Sequence, residues 1–571
     1  MLPGVALERD VPARMRDGTV LYADVYRPSS GGPFSVILMR LPYDKTQAQS
    51  LTYRHPAWYA ARGYMVVVQD TRGRWRSEGE FYPFAHEAED GYDTAAWAAS
   101  LPRSNGRVGM YGFSYVGATQ LQAALGRLPG LRTICPALTG SQYYEGWAYN
   151  GGAFALAFNA SWATMLAMDD ARRAGDGPAT RRLNAAFLGA PGFYGHLPLS
   201  EYPPLKGSGY GGYFFDWLAH PSYDGYWRRW SVDEDYSRIA VPALHVGGWY
   251  DVFVGGTVRN FEGLRRSAGS AEARSAQKLL VCPWYHLPWT PLTGAADFGK
   301  EARNVVDGWQ LRWFDQFLRD EDTGVLDAPA TVFVMGENRW EDYGAWPPEG
   351  TEPRDYHLRS GGAANSRYGD GRLDEEPPGE EPPDVYTYDP LVPVASAGGH
   401  SCCFPVVAPM GPADQAAVEV LNGVLVYTSA PLQRDLTVLG EVTLTLHAAT
   451  SAPDTDFTAK LCDVSPDGRS TNVQEGIVRA RYRDSLSGPR PVPPGEVREY
   501  RLSLGPTAHT FRAGHSLRLQ ISSSDFPQWD RNLNTGGPPG RESAAEARVA
   551  TQVVLHDRAH PSRLTLPVAP S

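Results

Sequence analysis

Few folds accommodate the stretch Arg107-Val108-Gly109-Met110-Tyr111-Gly112-Phe113-Ser114-Tyr115-Val116-Gly117-Ala118-Thr119-Gln120. Its apolar first half reads as a strand, and the alanine-rich continuation over 118–125 as a helix. A serine on the tight turn between them is the arrangement of a nucleophile elbow. Glycines let the backbone double back without a side-chain clash, which leaves the hydroxyl exposed and its backbone strained. The helix behind it aims N–H groups and positive partial charge at any oxyanion formed there. The usual spacing is Gly-x-Ser-x-Gly; here Val116 takes the last glycine's place and Gly117 follows one residue later. Alone, the motif is equally an ordinary glycine-rich turn of an α/β domain, so a function needs partners elsewhere in the chain.

The surroundings supply an α/β frame. Residues 35–40 and 64–70 are continuous apolar runs, the mark of parallel strands covered on both faces. Arg16-Asp17-Gly18 signals a hairpin between 11–13 and 20–26. Residues 87–99 read as a helix and 108–111 as the next strand. Strands alternating with helices predict a doubly wound sheet, with sites beyond the carboxyl ends of the strands. Tyr43, Asp70 and Ser114 all fall at such ends. The pattern resumes with strands at 242–248 and 278–283, a helix over 307–319 and a last strand at 331–335.

Between these halves aromatic residues crowd in. Phe154, Phe158 and Trp162 recur every four residues and so share a helical face. Residues 169–187 read as a polar helix, 191–212 as loop, and 223–230 as the opening of another helix. Such an aromatic face serves as core, or as the underside of a cap that keeps water from a site. Beyond about 350 the chain becomes all-β: 361–384 is a solvent loop, while 441–447 and 515–521 alternate apolar with polar. Four segments follow: 1–143 and 241–349 as the two parts of an α/β-hydrolase domain, 144–240 as a helical cap insertion, and 350–571 as a β-sandwich.

A net charge of −11 argues against nucleic acid as a partner, since phosphate binding wants a basic surface. Charges appear too early at the N-terminus for a signal sequence, and no apolar run is long enough to span a membrane. Cys135, Cys282, Cys402, Cys403 and Cys462 make no metal-ligand spacing, and their odd number fits free thiols in a reducing, cytoplasmic setting. Adjacent Cys402 and Cys403 are either two reduced core thiols or a vicinal disulfide.

A serine hydroxyl becomes a nucleophile when a histidine takes its proton and a carboxylate orients that imidazole. In α/β-hydrolases the chain order is Ser, then Asp or Glu, then His. Asp251 and His286 follow successive apolar strands, on the edge of the sheet that carries Ser114. Asp70 precedes the serine and reads as structural; His245 lies inside a strand and reads as core. For the oxyanion, the N–H of Tyr115 and the hydroxyl of Tyr43 are the candidate donors. Tyr43 is also readable as a turn tyrosine stacked on Pro42.

The elbow Gly-Phe-Ser-Tyr-Val-Gly-Ala-Thr-Gln, with its delayed glycine, resembles that of the bacterial cocaine esterase group of serine hydrolases. So do Leu-Pro-Tyr-Asp-Lys (41–45), Val-Gln-Asp-Thr-Arg-Gly (68–73), Gly-Trp-Tyr-Asp-x-Phe-Val-Gly (248–255) and Pro-Trp-x-His (283–286). Asp-Thr-Asp-Phe-Thr-Ala-Lys-Leu (454–461) and Asp-Arg-Asn-x-Asn-Thr-Gly-Gly (530–537) extend the likeness into the sandwich. The resemblance implies a Ser114–His286–Asp251 triad, an oxyanion hole of Tyr43 and Tyr115, and a jelly-roll-like end domain. X-prolyl dipeptidyl peptidases, α-amino-acid ester hydrolases and glutaryl acylases are relatives of that family. It further implies an acyl pocket built from Trp147, Trp162 and Phe253, with His55 where the family member has a glutamine and Cys402-Cys403 in place of a more aliphatic pair before the phenylalanine, here Phe404. After Asp251 come Val252, Phe253 and Val254, not the acidic residues that a free α-ammonium group would need. An apolar or aromatic acyl group is therefore expected, on a small ester or amide, with no cofactor, metal, nucleic acid or membrane involved. A homodimer is compatible with the sequence. Amide hydrolysis, acyl transfer and dipeptidyl-peptidase-like cleavage use the same triad, and an inert ligand-binding protein is the alternative of another class.

Overall fold

The computed structural model describes residues 3–47 and 52–570. Among these, ten strands form the first sheet: β1 (Val5–Arg14), β2 (Val20–Pro28), β3 (Phe34–Leu41), β4 (Met65–Asp70), β5 (Ser104–Phe113), β6 (Leu131–Ala137), β7 (Ala243–Gly248), β8 (Gln277–Cys282), β9 (Ala330–Val334) and β10 (Arg339–Tyr343). Their order is β1-β2-β4-β3-β5-β6-β7-β8-β9-β10. The run from β4 to β9 is parallel, flanked by antiparallel pairs at both edges. The strand expected to be last, β9, is thus followed by a hairpin partner, β10.

Period-two alternation explains why β3 is apolar on both faces. Val36 and Leu38 pack with α1 (Glu87–Ala99) and α2 (Tyr115–Ala124). Ile37 and Met39 face the opposite layer, with Trp313, Phe314 and Leu318 of the helix Val306–Arg319. Burying a large apolar side chain there contributes about 1.5–3 kcal/mol, so the sheet's interior is fixed by residues that the sequence shows as unbroken runs.

Between β6 and β7 lies a helical segment containing α3 (Leu156–Arg173) and α4 (Gly177–Leu188). Two expectations change here. Phe154 precedes α3 in a two-residue strand, so only Phe158 and Trp162 share the helical face. The helix expected over 169–187 is two helices, because Gly175 takes a positive φ of 73° and Asp176 caps the next helix, its carboxylate accepting from the Ala179 N–H at 2.9 Å. Pro178 sits in the first turn, where a missing N–H costs nothing.

The C-terminal part is an eleven-stranded sheet around Leu444, Leu446, Phe457, Leu461, Leu519 and Ile521. It joins the first sheet through Met335, whose N–H donates to Ala508 O at 3.0 Å and whose carbonyl accepts from Thr510 N–H at 2.8 Å. The buried Arg479 guanidinium binds Asp456 at 2.9 Å and Asp530 at 2.8 Å. Asp530 in turn accepts from the Phe154 N–H at 2.7 Å. The two C-terminal motifs therefore anchor the helical segment. Among the described residues no helix is long and apolar enough to cross a membrane.

Candidate active site

Ser114 sits between β5 and α2 with φ 63° and ψ −131°, a conformation that costs a non-glycine residue of order 1–3 kcal/mol. Its N–H donates to Ala137 O at 2.9 Å, which ties the turn to β6. The unusual spacing has a steric cause. Gly112 has φ 142°, and a Cβ there would lie 2.1 Å from Cγ1 of Val116. A Cβ on Gly117 would lie 2.8 Å from Thr139 and 2.9 Å from Ala137 O. Val116 thus fills the hollow left by Gly112, and the second glycine is needed one residue later, where α2 presses on β6.

Asp251 and His286 arrive from neighbouring strands. The N–H groups of Trp249 and Tyr250 donate to Cys282 O and Trp284 O at 2.8 and 3.0 Å, carrying the pairing of β7 and β8 past the strand ends. A Cβ on Gly248 would fall 2.4 Å from Trp284 O, so only glycine admits this approach. The result is a 2.8 Å hydrogen bond between His286 Nδ1 and Asp251 Oδ1, with the two side chains 1 % and 0 % exposed. β5, β7 and β8 are parallel members of one sheet, so all three residues leave it by the same rim. The Phe113 ring lies 5.6 Å from the imidazole. Ser114 Oγ and His286 are not hydrogen-bonded to each other in this conformation; the serine lies close enough to the Tyr43 hydroxyl to oppose the rise of its pKa.

Tyr43 follows β3. Its hydroxyl accepts from Trp162 Nε1–H at 3.0 Å, leaving its own proton free to turn toward Ser114. Burial pushes its phenol up to about 12, against the opposing effect of the Trp162 hydrogen bond. Tyr115 is the first residue of α2, where an N–H has no intrahelical acceptor. Both expected oxyanion donors therefore lie at the turn.

Trp147, Trp162 and Phe253 come together as expected: Trp147 and Phe253 lie 4.4 Å apart, Trp147 and Trp162 5.5 Å, and Phe253 is 5.4 Å from His286. Three other expectations are corrected. His55 is exposed and engaged at the start of the short helix Pro56–Ala60, where its Nδ1 caps the helix by accepting from Ala57 N–H at 3.1 Å and its ring meets Tyr26 edge-on. Phe404 is 36 % exposed and meets Phe187 edge-on, because a turn at 404–407 carries it outward. Cys403 does reach the site, but as half of a vicinal disulfide with Cys402; only Cys135, Cys282 and Cys462 are free thiols. Asp70 and His245 are structural, as expected. Asp70 accepts from Lys45 N–H at 2.7 Å, fixing the turn that carries Tyr43. His245 bonds Gln277 at 2.8 Å, and burial pushes its imidazole down to about 4.

Several supporting groups carry no signal in the sequence alone. Buried Glu87 accepts from the Tyr115 hydroxyl and from Arg40, both at 2.8 Å, and so holds the start of α2. Arg74 donates to Pro42 O at 2.9 Å and pairs with Asp170, linking the Tyr43 turn to α3. His400, from the C-terminal part, presents Nδ1 to Glu475 at 2.8 Å and Nε2 to Trp249 O at 2.7 Å. Both partners are acceptors, so this ring carries two protons; burial opposes its charge and the Glu475 carboxylate outweighs that. It also stacks on Tyr250, bracing the turn that ends in Asp251.

Comparison with known proteins places the chain. Residues 17–288 match the model of the X-Pro dipeptidyl-peptidase (S15) family, and residues 323–565 that of the X-Pro dipeptidyl-peptidase C-terminal non-catalytic domain. The chain is 36% identical to the cocaine esterase of Rhodococcus sp. (strain MB1 Bresler), over 98% of both proteins. Among solved structures it is similar to an aminopeptidase from the marine sediment archaeon Thaumarchaeota archaeon, at 25% identity and a TM-score of 0.81, covering 99% of this chain and 97% of the other. An α-amino acid ester hydrolase gives a TM-score of 0.79, also at 25% identity and with 99% and 97% covered. An N-terminal α/β domain followed by a C-terminal β-rich domain is thus the architecture of the S15 hydrolases, and the chain belongs to the cocaine esterase group of that serine hydrolase family.

Proposed function

We propose that this chain is a serine carboxylesterase acting through an acyl-enzyme on Ser114. The observation that carries the proposal is the buried 2.8 Å bond between His286 and Asp251, on the rim that also bears the strained serine. Asp251 holds the imidazole with Nδ1 protonated, so the other ring nitrogen is free to take the Ser114 proton. Ser114 Oγ then attacks the ester carbonyl, and the oxyanion is held by the Tyr43 hydroxyl and the Tyr115 N–H. The imidazolium protonates the departing alcohol; water, activated the same way, releases the acid. Trp147, Trp162 and Phe253 supply an apolar wall for the acyl group, and the residues directly after Asp251 are Val252, Phe253 and Val254 rather than acidic ones. That favours an apolar or aromatic acyl group over a free α-amino group. We read 144–240 as a cap over this site and 350–571 as a jelly-roll-like sandwich, on the grounds that the first supplies both tryptophans and the second braces the Asp251 turn. A panel of p-nitrophenyl esters and the matching anilides, graded in acyl size and charge, tests the proposal. Highest kcat/KM for neutral aromatic or branched acyl esters, abolished in Ser114→Ala, supports it; highest kcat/KM for α-amino acyl anilides overturns it.

A further inference from the structure

Sequence spacing gives no metal motif, yet the fold assembles one. A ring nitrogen of His286 and the sulfur atoms of Cys402 and Cys403 all lie within 4.8 Å of one another, and the three residues are buried or nearly so. Donors on a tetrahedral zinc, with Zn–S of about 2.3 Å and Zn–N of about 2.1 Å, stand roughly 3.5–3.8 Å apart, so small side-chain movements suffice. We infer that, once the Cys402–Cys403 disulfide is reduced, these two thiolates and the His286 imidazole form an inhibitory site for a thiophilic divalent cation such as Zn²⁺.

Three features favour it. Sulfur and imidazole donors suit zinc over magnesium or calcium. Metal-binding histidines commonly donate their second ring N–H to a carboxylate, and His286 already does so to Asp251 at 2.8 Å. The site is also gated by redox state, because a disulfide offers no thiolate. Reduction by a phosphine balances as disulfide plus phosphine plus water giving two thiols plus phosphine oxide. Zn²⁺ then displaces the two thiol protons and takes the lone pair of the ring nitrogen opposite Asp251. One coordination position is left for water. The inference rests on the proposed role of His286 for its inhibitory effect but not for metal binding.

The test loads reduced, metal-free protein with Zn²⁺ and with Co²⁺, following stoichiometry by chelator competition, thiolate-to-cobalt charge-transfer absorption, and ester hydrolysis in parallel. The expected result is one metal per chain with a thiolate-to-cobalt band, and hydrolysis falling at least about 10-fold as the site fills and returning with EDTA. The air-oxidised protein, which carries no mutation, should bind about 10²-fold more weakly and keep its activity. Cys402→Ser and Cys403→Ser should each lose the charge-transfer intensity and most of the zinc sensitivity, read as the ratio of each variant's rate with and without zinc. Absence of a thiolate-to-cobalt band in reduced protein, equal binding by the oxidised form, or full occupancy without loss of hydrolysis would each overturn the inference. A protein that binds one metal through both cysteines but never hydrolysed esters would instead count against the esterase proposal.

Discussion

Removing a single oxygen, in Tyr43→Phe, separates the oxyanion role of Tyr43 from a packing role. The Tyr43 hydroxyl accepts from Trp162 Nε1–H at 3.0 Å and so keeps its own proton to give, with Ser114 nearby. A donor that meets charge only in the transition state is worth about 2.7–4 kcal/mol, so kcat should fall about 10²–10³-fold with KM changed little. The substitution also strands the Trp162 N–H in a buried site, which costs about 1–3 kcal/mol of stability. Trp162→Phe in the same background removes that orphan, so the double variant should regain stability without regaining rate. Steady-state hydrolysis of a p-nitrophenyl ester and thermal unfolding of the three variants decide the matter. A Tyr43→Phe enzyme with kcat within about threefold of the parent would refute the oxyanion assignment, whatever its stability.

Other consequences are more compact. Asp251→Asn leaves the shape of the turn but allows the wrong imidazole tautomer, and kcat should drop about 10³–10⁴-fold while circular dichroism is unchanged. Phe253→Ala opens the aromatic wall 5.4 Å from His286, and the preference for benzoyl over acetyl esters, measured as a kcat/KM ratio, should shrink about 10-fold. His245, buried and pushed down to about 4, binds a proton in the unfolded chain before it does so in the fold. Stability should therefore be lost as pH falls from about 6.5 toward 4, by up to about 3 kcal/mol from this group. Urea titrations at both ends of that window should show a shallower loss in His245→Gln.

Much of this was legible in the residues. β3, β4, β7 and β8 are short strands with apolar centres, buried along their whole length, and a parallel sheet covered on both faces asks for little else. Ser114, Asp251 and His286 were findable because each follows such a run, and sheet topology carries strand ends to one rim. Contacts between distant segments leave no periodicity to read. Nothing near Glu87 marks it as the partner of Tyr115, and nothing near His400 points to the Trp249 carbonyl. Local chemistry misled in other places. The four-residue spacing of Phe154 with Phe158 ran across a helix start, and Gly175-Asp176-Gly177-Pro178 broke a helix that composition alone extended. His55 and Phe404 were placed in the pocket by family position, whereas the first is taken up in capping a helix and the second turns out against Phe187.

Fluorophosphonate labelling tests most directly whether three groups far apart in sequence act as one nucleophilic unit. The probe should add once, to the peptide carrying Ser114, and labelling should vanish in Ser114→Ala and slow about 10³-fold or more in His286→Ala. An adduct at another residue, or undiminished ester hydrolysis by Ser114→Ala, would contradict it.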